Sequence, residues 1–189
     1  MICISFDVGI KNLAYCIIEV KDELFQIIGW DVITLCKDKE RGDKINLIDA
    51  GRVLRDKFDI AFEGLIFDNV LIENQMGNLA IRMKTLQGMI TQYFIMKNSK
   101  NIVFISSINK LKPYLGSLKT TYAERKKYSI LICKKYLEKT VDLSGWLPLF
   151  EKHKKKDDLA DAFLQAMSYM YKKNILKNKL IINAVDLKV

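Results

Sequence analysis

The chain has no apolar run approaching the ~20 residues that a helical membrane span requires, so no membrane partner is expected. It carries a single histidine, His153, and only four cysteines, Cys3, Cys16, Cys36 and Cys133, none of them in a CxxC pair. A thiol-based zinc site is therefore not expected. The cysteines read as free buried thiols, with an incidental Cys3–Cys16 bridge across a hairpin as the alternative. No basic segment, apolar core and small-residue cleavage site open the sequence, which points to an intracellular protein. Internal repeats and low-complexity linkers are missing too. With 189 residues, half of them hydrophobic, a single domain with a sizeable core is expected over 1–175, followed by a tail at 176–189.

Set against these absences are three apolar runs that meet acids. Ile2-Cys3-Ile4-Ser5-Phe6 ends in Asp7, Asn69-Val70-Leu71-Ile72 ends in Glu73, and Asp157, Asp158 and Asp161 open an apolar helix. A carboxylate at the end of a buried strand is costly unless a cation meets it. Three segments that each do this suggest one shared cation, and acid-only clusters favour hard metals such as Mg²⁺ or Mn²⁺.

Strands are expected at 2–7, 13–20 and 24–35, joined by short turns into an antiparallel meander. A helix is read at 43–58, with Asp43 in its first turn. A buried strand at 69–73, a long helix at 78–97 and another buried strand at 101–106 imply a right-handed parallel crossover. The helix stripe Leu79, Met83, Leu86, Ile90, Tyr93 and Phe94 reads as core packing. Residues 110–120 read as a loop. Thr121-Tyr122-Ala123-Glu124 matches a capping box that starts a helix over 122–139. Residues 144–148 read as a turn, and a last helix covers 157–171. The fold class is thus α/β, a mixed five-stranded sheet of three antiparallel N-terminal strands and two further parallel strands, flanked by helices.

Charge is unevenly spread. Residues 1–96 hold 11 basic and 14 acidic side chains, residues 97–139 hold 11 and 2, and residues 140–189 hold 9 and 6. The middle stretch alone matches the net charge of +9. A localised basic surface suits a polyanion; a solvated lysine-rich face is the bland alternative.

Asp158 and Asp161 are three apart and share a helix face, whereas Asp157 points about 100° away. Four carboxylates, Asp7, Glu73, Asp158 and Asp161, repel in one pocket unless metal is present. Two divalent ions, ~3.5–4 Å apart, would offset the charge, one activating water and the other stabilising the leaving oxygen.

Ser5-Phe6-Asp7-Val8-Gly9-Ile10-Lys11-Asn12-Leu13-Ala14, Leu71-Ile72-Glu73 and Lys156-Asp157-Asp158-Leu159-Ala160-Asp161-Ala162 are similar, in order and spacing, to the Holliday junction resolvases of poxviruses and fungal mitochondria. These form the RuvC branch of the ribonuclease H-like superfamily, and the resemblance covers residues 1–171. It implies a ribonuclease H-like sheet and catalytic, metal-binding roles for Asp7, Glu73, Asp158 and Asp161. It also implies a Mg²⁺-dependent homodimer, with Mn²⁺ as substitute, that hydrolyses two strands of a four-way DNA junction symmetrically. No small-molecule cofactor is expected. The run Arg125-Lys126-Lys127 resembles the family's basic segment, with Lys127 the candidate catalytic lysine. Lys11, Asn12, Arg82, Lys119, Arg125, Lys126 and Lys127 are the candidate DNA contacts. The direct start at the first strand favours a viral, cytoplasmic protein over a mitochondrial one.

Trp146 is open to base stacking or to packing under its loop, and His153 to phosphate contact or loop exposure. Two rivals remain: a RuvC-related nuclease acting on structured RNA, and a non-catalytic nucleic-acid-binding protein whose acids are helix caps. An actin-like ATPase needs a duplicated fold, for which the chain is too short.

Overall fold

The computed structural model describes residues 1–36, 41–76, 81–116, 118–177 and 180. Strand β1 (Ile2–Asp7) turns through Gly9 into β2 (Asn12–Lys21). Asp22 and Glu23, at φ 50° and 64°, form the two-residue turn into β3 (Leu24–Thr34). Paired left-handed residues of this kind match the twist of the flanking strands. Strands β4 (Asn69–Glu73) and β5 (Ile102–Ile105) complete the sheet in the order β3-β2-β1-β4-β5. The first three strands are mutually antiparallel, and β4 and β5 run parallel to β1. Three antiparallel and two further parallel strands are what the sequence implied.

Side-chain alternation divides the core between the two faces of this sheet. Ile4, Phe6, Val70 and Ile72 face α1 (Leu47–Ala61) and α2 (Ile81–Met96), among the rings of Phe58, Phe62, Phe67 and Phe94. Phe6 stacks on Phe58 with centroids 5.3 Å apart. Burying each such ring contributes about 1.5–3 kcal/mol. Cys3, Ala14, Cys16 and Leu71 face the other way, toward α4 (Tyr122–Lys139) and α6 (Lys156–Lys172). The short helices α3 (Lys112–Leu115) and α5 (Leu147–Lys152) precede α4 and α6 respectively. From Leu159 to Met170 every residue of α6 is buried except Asp161. The four cysteines are free thiols, so no Cys3–Cys16 bridge forms.

Several elements differ from the sequence reading. Helix α1 begins at Leu47 because Asn46 caps it, accepting from the Ile48 N–H at 2.9 Å; Asp43 lies before the helix and pairs with Arg41. Strand β5 is an edge strand, with Phe104 half exposed, because it pairs only with β4; a short apolar run does not reveal its place in a sheet. The 110–120 loop contains α3, and the 144–148 turn lies across a 3-10 helix (Val141–Trp146) and α5. Trp146 is packed rather than free to stack on a base: its indole N–H donates to the Ile27 carbonyl at 3.1 Å, edge-on to Trp30. The start of the long helix at Asn78 and Leu79, and most of the 176–189 tail, lie outside the described residues. Leu176 is buried, and Lys177 pairs with Glu23.

Gly9 is required by close approach, since a Cβ there would lie 2.5 Å from the Asn12 carbonyl oxygen. Gly9→Ala is expected to cost about 1–3 kcal/mol by forcing the turn apart. A lowered urea midpoint would show this; an unchanged midpoint would contradict the packing.

Candidate active site

Parity and register bring the acids together. Phe6 pairs with Ile72 across the parallel β1–β4 ladder, so Asp7 and Glu73 leave neighbouring strands side by side. Both have the parity of Ser5 and Leu71, which points them to the face that α6 covers. Asp161 comes down on them from the second turn of α6. Asp158, one turn earlier, stands at the rim with a fifth of its side chain exposed.

In the middle of the cluster sits a residue the sequence reading did not single out. Lys110 follows β5 and places its ammonium 2.7 Å from Asp161 Oδ2, 3.1 Å from Asp7 Oδ1 and 3.4 Å from Glu73 Oε1. Its side chain is only 8% exposed. Burial alone would lower its pKa, but Asp7, Asp161 and Glu73 together hold it above the ordinary lysine range. The expected lysine, Lys127, lies exposed on α4, and among the described residues no ion pair links it to the four acids.

Neutral groups fix the frame. Gln165 donates from Nε2 to Ser5 Oγ at 3.0 Å and to the Phe6 carbonyl at 3.1 Å, tying α6 to the strand residue before Asp7. The Trp30 indole N–H donates to the Leu159 carbonyl at 3.0 Å, between the two helix acids. Ser168 Oγ donates to the Asn109 carbonyl at 2.7 Å, which anchors the residue next to Lys110. Gln75 Nε2 donates to Glu73 Oε2 at 3.1 Å, and the Gln75 N–H donates to Gln87 Oε1 at 2.8 Å. Glu73 is thereby held with its other oxygen toward Lys110. His153 plays a local part, its Nδ1 accepting from the Lys155 N–H at 3.0 Å just before α6.

Electrostatics follow from this crowding. Burial pushes the Asp7 carboxyl up to about 7, with Lys110 opposing and Glu73 adding to the rise. Burial also raises Asp161 against the pull of Lys110. Asp158 rises to about 6 through burial and then the charges of Asp157 and Asp7. Asp157 belongs elsewhere. It accepts from Lys126 Nζ at 2.5 Å, and this bond and charge outweigh burial to lower its pKa.

The candidate DNA contacts divide. Lys11, in the β1–β2 turn, and Asn12, which opens β2, are half-buried at the same sheet end as Asp7. Lys119, Arg125 and Lys127 are exposed around the start of α4. Lys126 is partly occupied by Asp157. Arg82 is turned inward, donating from Nη2 to the Ile45 carbonyl, so it ties α2 to the approach of α1 instead of facing solvent. The α4 N-terminus already carries a carboxylate of its own. Glu124 Oε2 accepts from the Thr121 N–H at 2.7 Å, and Thr121 Oγ1 caps the Glu124 N–H at 3.3 Å.

Among the described residues no group of three or more His, Cys, Asp or Glu side chains is set to hold a metal ion as it stands, since an ammonium takes the centre. The donor set nevertheless fits a hard divalent ion. All its ligands are carboxylate oxygens, they already require a cation, and Asp161 Oδ1 is buried without a hydrogen-bond partner.

A model of the family described as Poxvirus A22 protein matches residues 1–173. A search of curated proteins gave no match. Among solved structures, the fowlpox virus resolvase in complex with Holliday junction DNA is similar at 23% identity and a TM-score of 0.65, covering 94% of this chain and all of that one. Thermus thermophilus RuvC aligns at 14% identity and a TM-score of 0.62, covering 93% of this chain and 96% of its own. The yeast mitochondrial Holliday junction resolvase Ydc2 aligns at 20% identity and a TM-score of 0.57, covering 89% and 78%. These likenesses show a shared fold.

The raised carboxyls set a sign for the pH dependence of stability. Asp7 and Asp158 bind protons more tightly in the native state than at their ordinary value of 3.8. Their contribution is full below about pH 4 and is lost as pH rises through about 6 to 7. In EDTA the thermal midpoint is expected to fall between about pH 5 and pH 8, and Asp7→Asn to flatten that fall. A wild-type midpoint rising across this window would contradict the assignment.

Proposed function

The chain belongs to the poxvirus A22 protein family, and we propose that it is a Holliday junction resolvase, a metal-dependent endonuclease that cuts four-way DNA junctions by paired, symmetric phosphodiester hydrolysis. The observation that carries this reading is the convergence of Asp7, Glu73 and Asp161 on one buried cation, with Asp158 at the rim. Its support from outside is the family match together with a fold shared with junction-resolving enzymes.

Asp7, Glu73, Asp158 and Asp161 would hold Mg²⁺, with Mn²⁺ as a substitute and two ions per site. Bound there, the metal supplies Lewis-acid stabilisation of phosphoryl oxygens and an acidified water. The protein's own residues provide the frame. Gln165 ties α6 to β1, Trp30 ties it to β3, and Gln75 orients Glu73. Lys110 adds a positive charge where the reacting phosphate's charge increases. Asp158, a fifth exposed at the rim, marks the side from which a strand would enter.

A junction has near-twofold symmetry, so a homodimer would present two such sites to two like strands. Sedimentation of the junction complex tests this, and a strictly monomeric complex making paired nicks would contradict it. No described helix is long and apolar enough to cross a membrane. The viral family supports action in the host cytoplasm.

The decisive assay is a labelled four-way junction with and without Mg²⁺, run beside a structured RNA. Paired symmetric nicks in the junction, only with metal, are expected. Asp7→Asn, Glu73→Gln, Asp158→Asn and Asp161→Asn should each slow single-turnover cleavage by about 10²–10³-fold while junction binding persists. Full cleavage by Asp7→Asn, or cutting of RNA alone, would overturn the reading.

The basic segment gives a separate measurement. Lys127→Ala is expected to lower the salt slope of junction binding by about 1. Lys126→Ala should change it less, because Asp157 already partners that ammonium. Equal slopes for wild type and Lys127→Ala would remove Lys127 from the DNA path.

A further inference from the structure

We propose that Lys110 is the resident counter-cation of the carboxylate cluster, that a divalent ion must displace its ammonium to bind, and that metal loading is therefore coupled to the arrival of an anion able to receive it. This rests on the reading of Asp7, Glu73 and Asp161 as metal ligands.

The geometry is that of one position with two competing occupants. The Lys110 ammonium donates to Asp7 of β1 at 3.1 Å and to Asp161 of α6 at 2.7 Å, and it pairs with Glu73 of β4 at 3.4 Å. The oxygens that face the ammonium are the ones a metal would draw on. Mg²⁺ binds oxygen at about 2.0–2.1 Å, so those oxygens must close in on a centre the ammonium has left. The two cations cannot share it.

The side chain, not the backbone, has to move. Asn109, next to Lys110, is held through its carbonyl by Ser168 of the buried helix α6. Lys110 itself is 8% exposed, so its ammonium does not drift into solvent unaided. Its tethering gives it a high effective concentration that free metal must overcome.

Charge decides the direction of the exchange. Three carboxylates and one ammonium leave two negative charges, and a divalent ion in place of the ammonium leaves one. The exchange gains at the cluster but strands a lysine in a poorly hydrated place. A phosphate of a bound strand would take up that ammonium. By linkage, DNA then tightens metal binding by the factor that metal tightens the metal-dependent part of DNA binding.

The test is Mn²⁺ binding by calorimetry on the full chain without DNA, alongside thermal melts in EDTA. Lys110→Gln is expected to bind Mn²⁺ about tenfold more tightly than wild type or better, because the competing charge is gone. Its melting midpoint should be lower in EDTA and rise further on adding Mn²⁺. Lys110→Arg keeps the charge and should bind Mn²⁺ as weakly as wild type. Lys110→Gln binding no more tightly than wild type, or Lys110→Arg binding as tightly as Lys110→Gln, overturns the proposal. Should Lys110→Gln fail to fold in EDTA, recovery of the wild-type circular dichroism on adding Mn²⁺ supports it, and continued unfolding overturns it. Junction cleavage by the wild type reports the nuclease reading separately, since the order of these Mn²⁺ affinities does not depend on which nucleic acid is cut.

Discussion

Like charges brought within a few ångströms in a poorly solvated place repel by several kcal/mol unless an opposite charge stands between them. The arrangement around Asp7, Glu73 and Asp161 answers that constraint with Lys110. Strand order makes β1 and β4 neighbours, pleat parity turns both terminal acids to one face, and α6 brings its own acid down on the same spot. Removing one partner of such a buried group leaves the others uncompensated, at a cost of about 3–5 kcal/mol. The carboxylates and the lysine are thus as much a matter of stability as of chemistry.

The two faces of the sheet divide the labour. The aromatic cluster under α1 and α2 is dry and apolar, and it supplies much of the hydrophobic stabilisation. The opposite face carries polar ties through an otherwise apolar interface: Gln165 to Ser5 and Phe6, Trp30 to Leu159, and Ser168 to Asn109. Each tie pairs a buried donor, although the Gln165 Oε1 stays buried without a partner. Each also fixes a position along α6, which packing of Leu, Ala and Met alone would leave free to slide.

Much of this was legible in the sequence where local chemistry decides structure. The Thr121–Glu124 box starts α4 where it was read, because both halves of the reciprocal cap are present in four residues. The meander, the crossover and the Asp158–Asp161 spacing follow from period and turn chemistry. Lys110 was not legible, because it is one of 11 basic residues between 97 and 139 and nothing local marks it as the inward one. Gln75 escaped for the same reason, and Arg82 was read as a DNA contact, since their partners, Glu73 with Gln87 and Ile45, are set by the packing of α2. The edge position of β5 depends on which strands pair, which composition does not encode.

The bonds from Gln165 to Ser5 and Phe6 join residues about 160 positions apart in the chain. During synthesis, β1, β2 and β3 emerge well before α6 and can pair while that helix is unmade. Until it docks, Asp7 and Glu73 have no Asp158 or Asp161 above them. A chain that stops before α6 therefore lacks two of the four acids, and Lys110 then faces only Asp7 and Glu73.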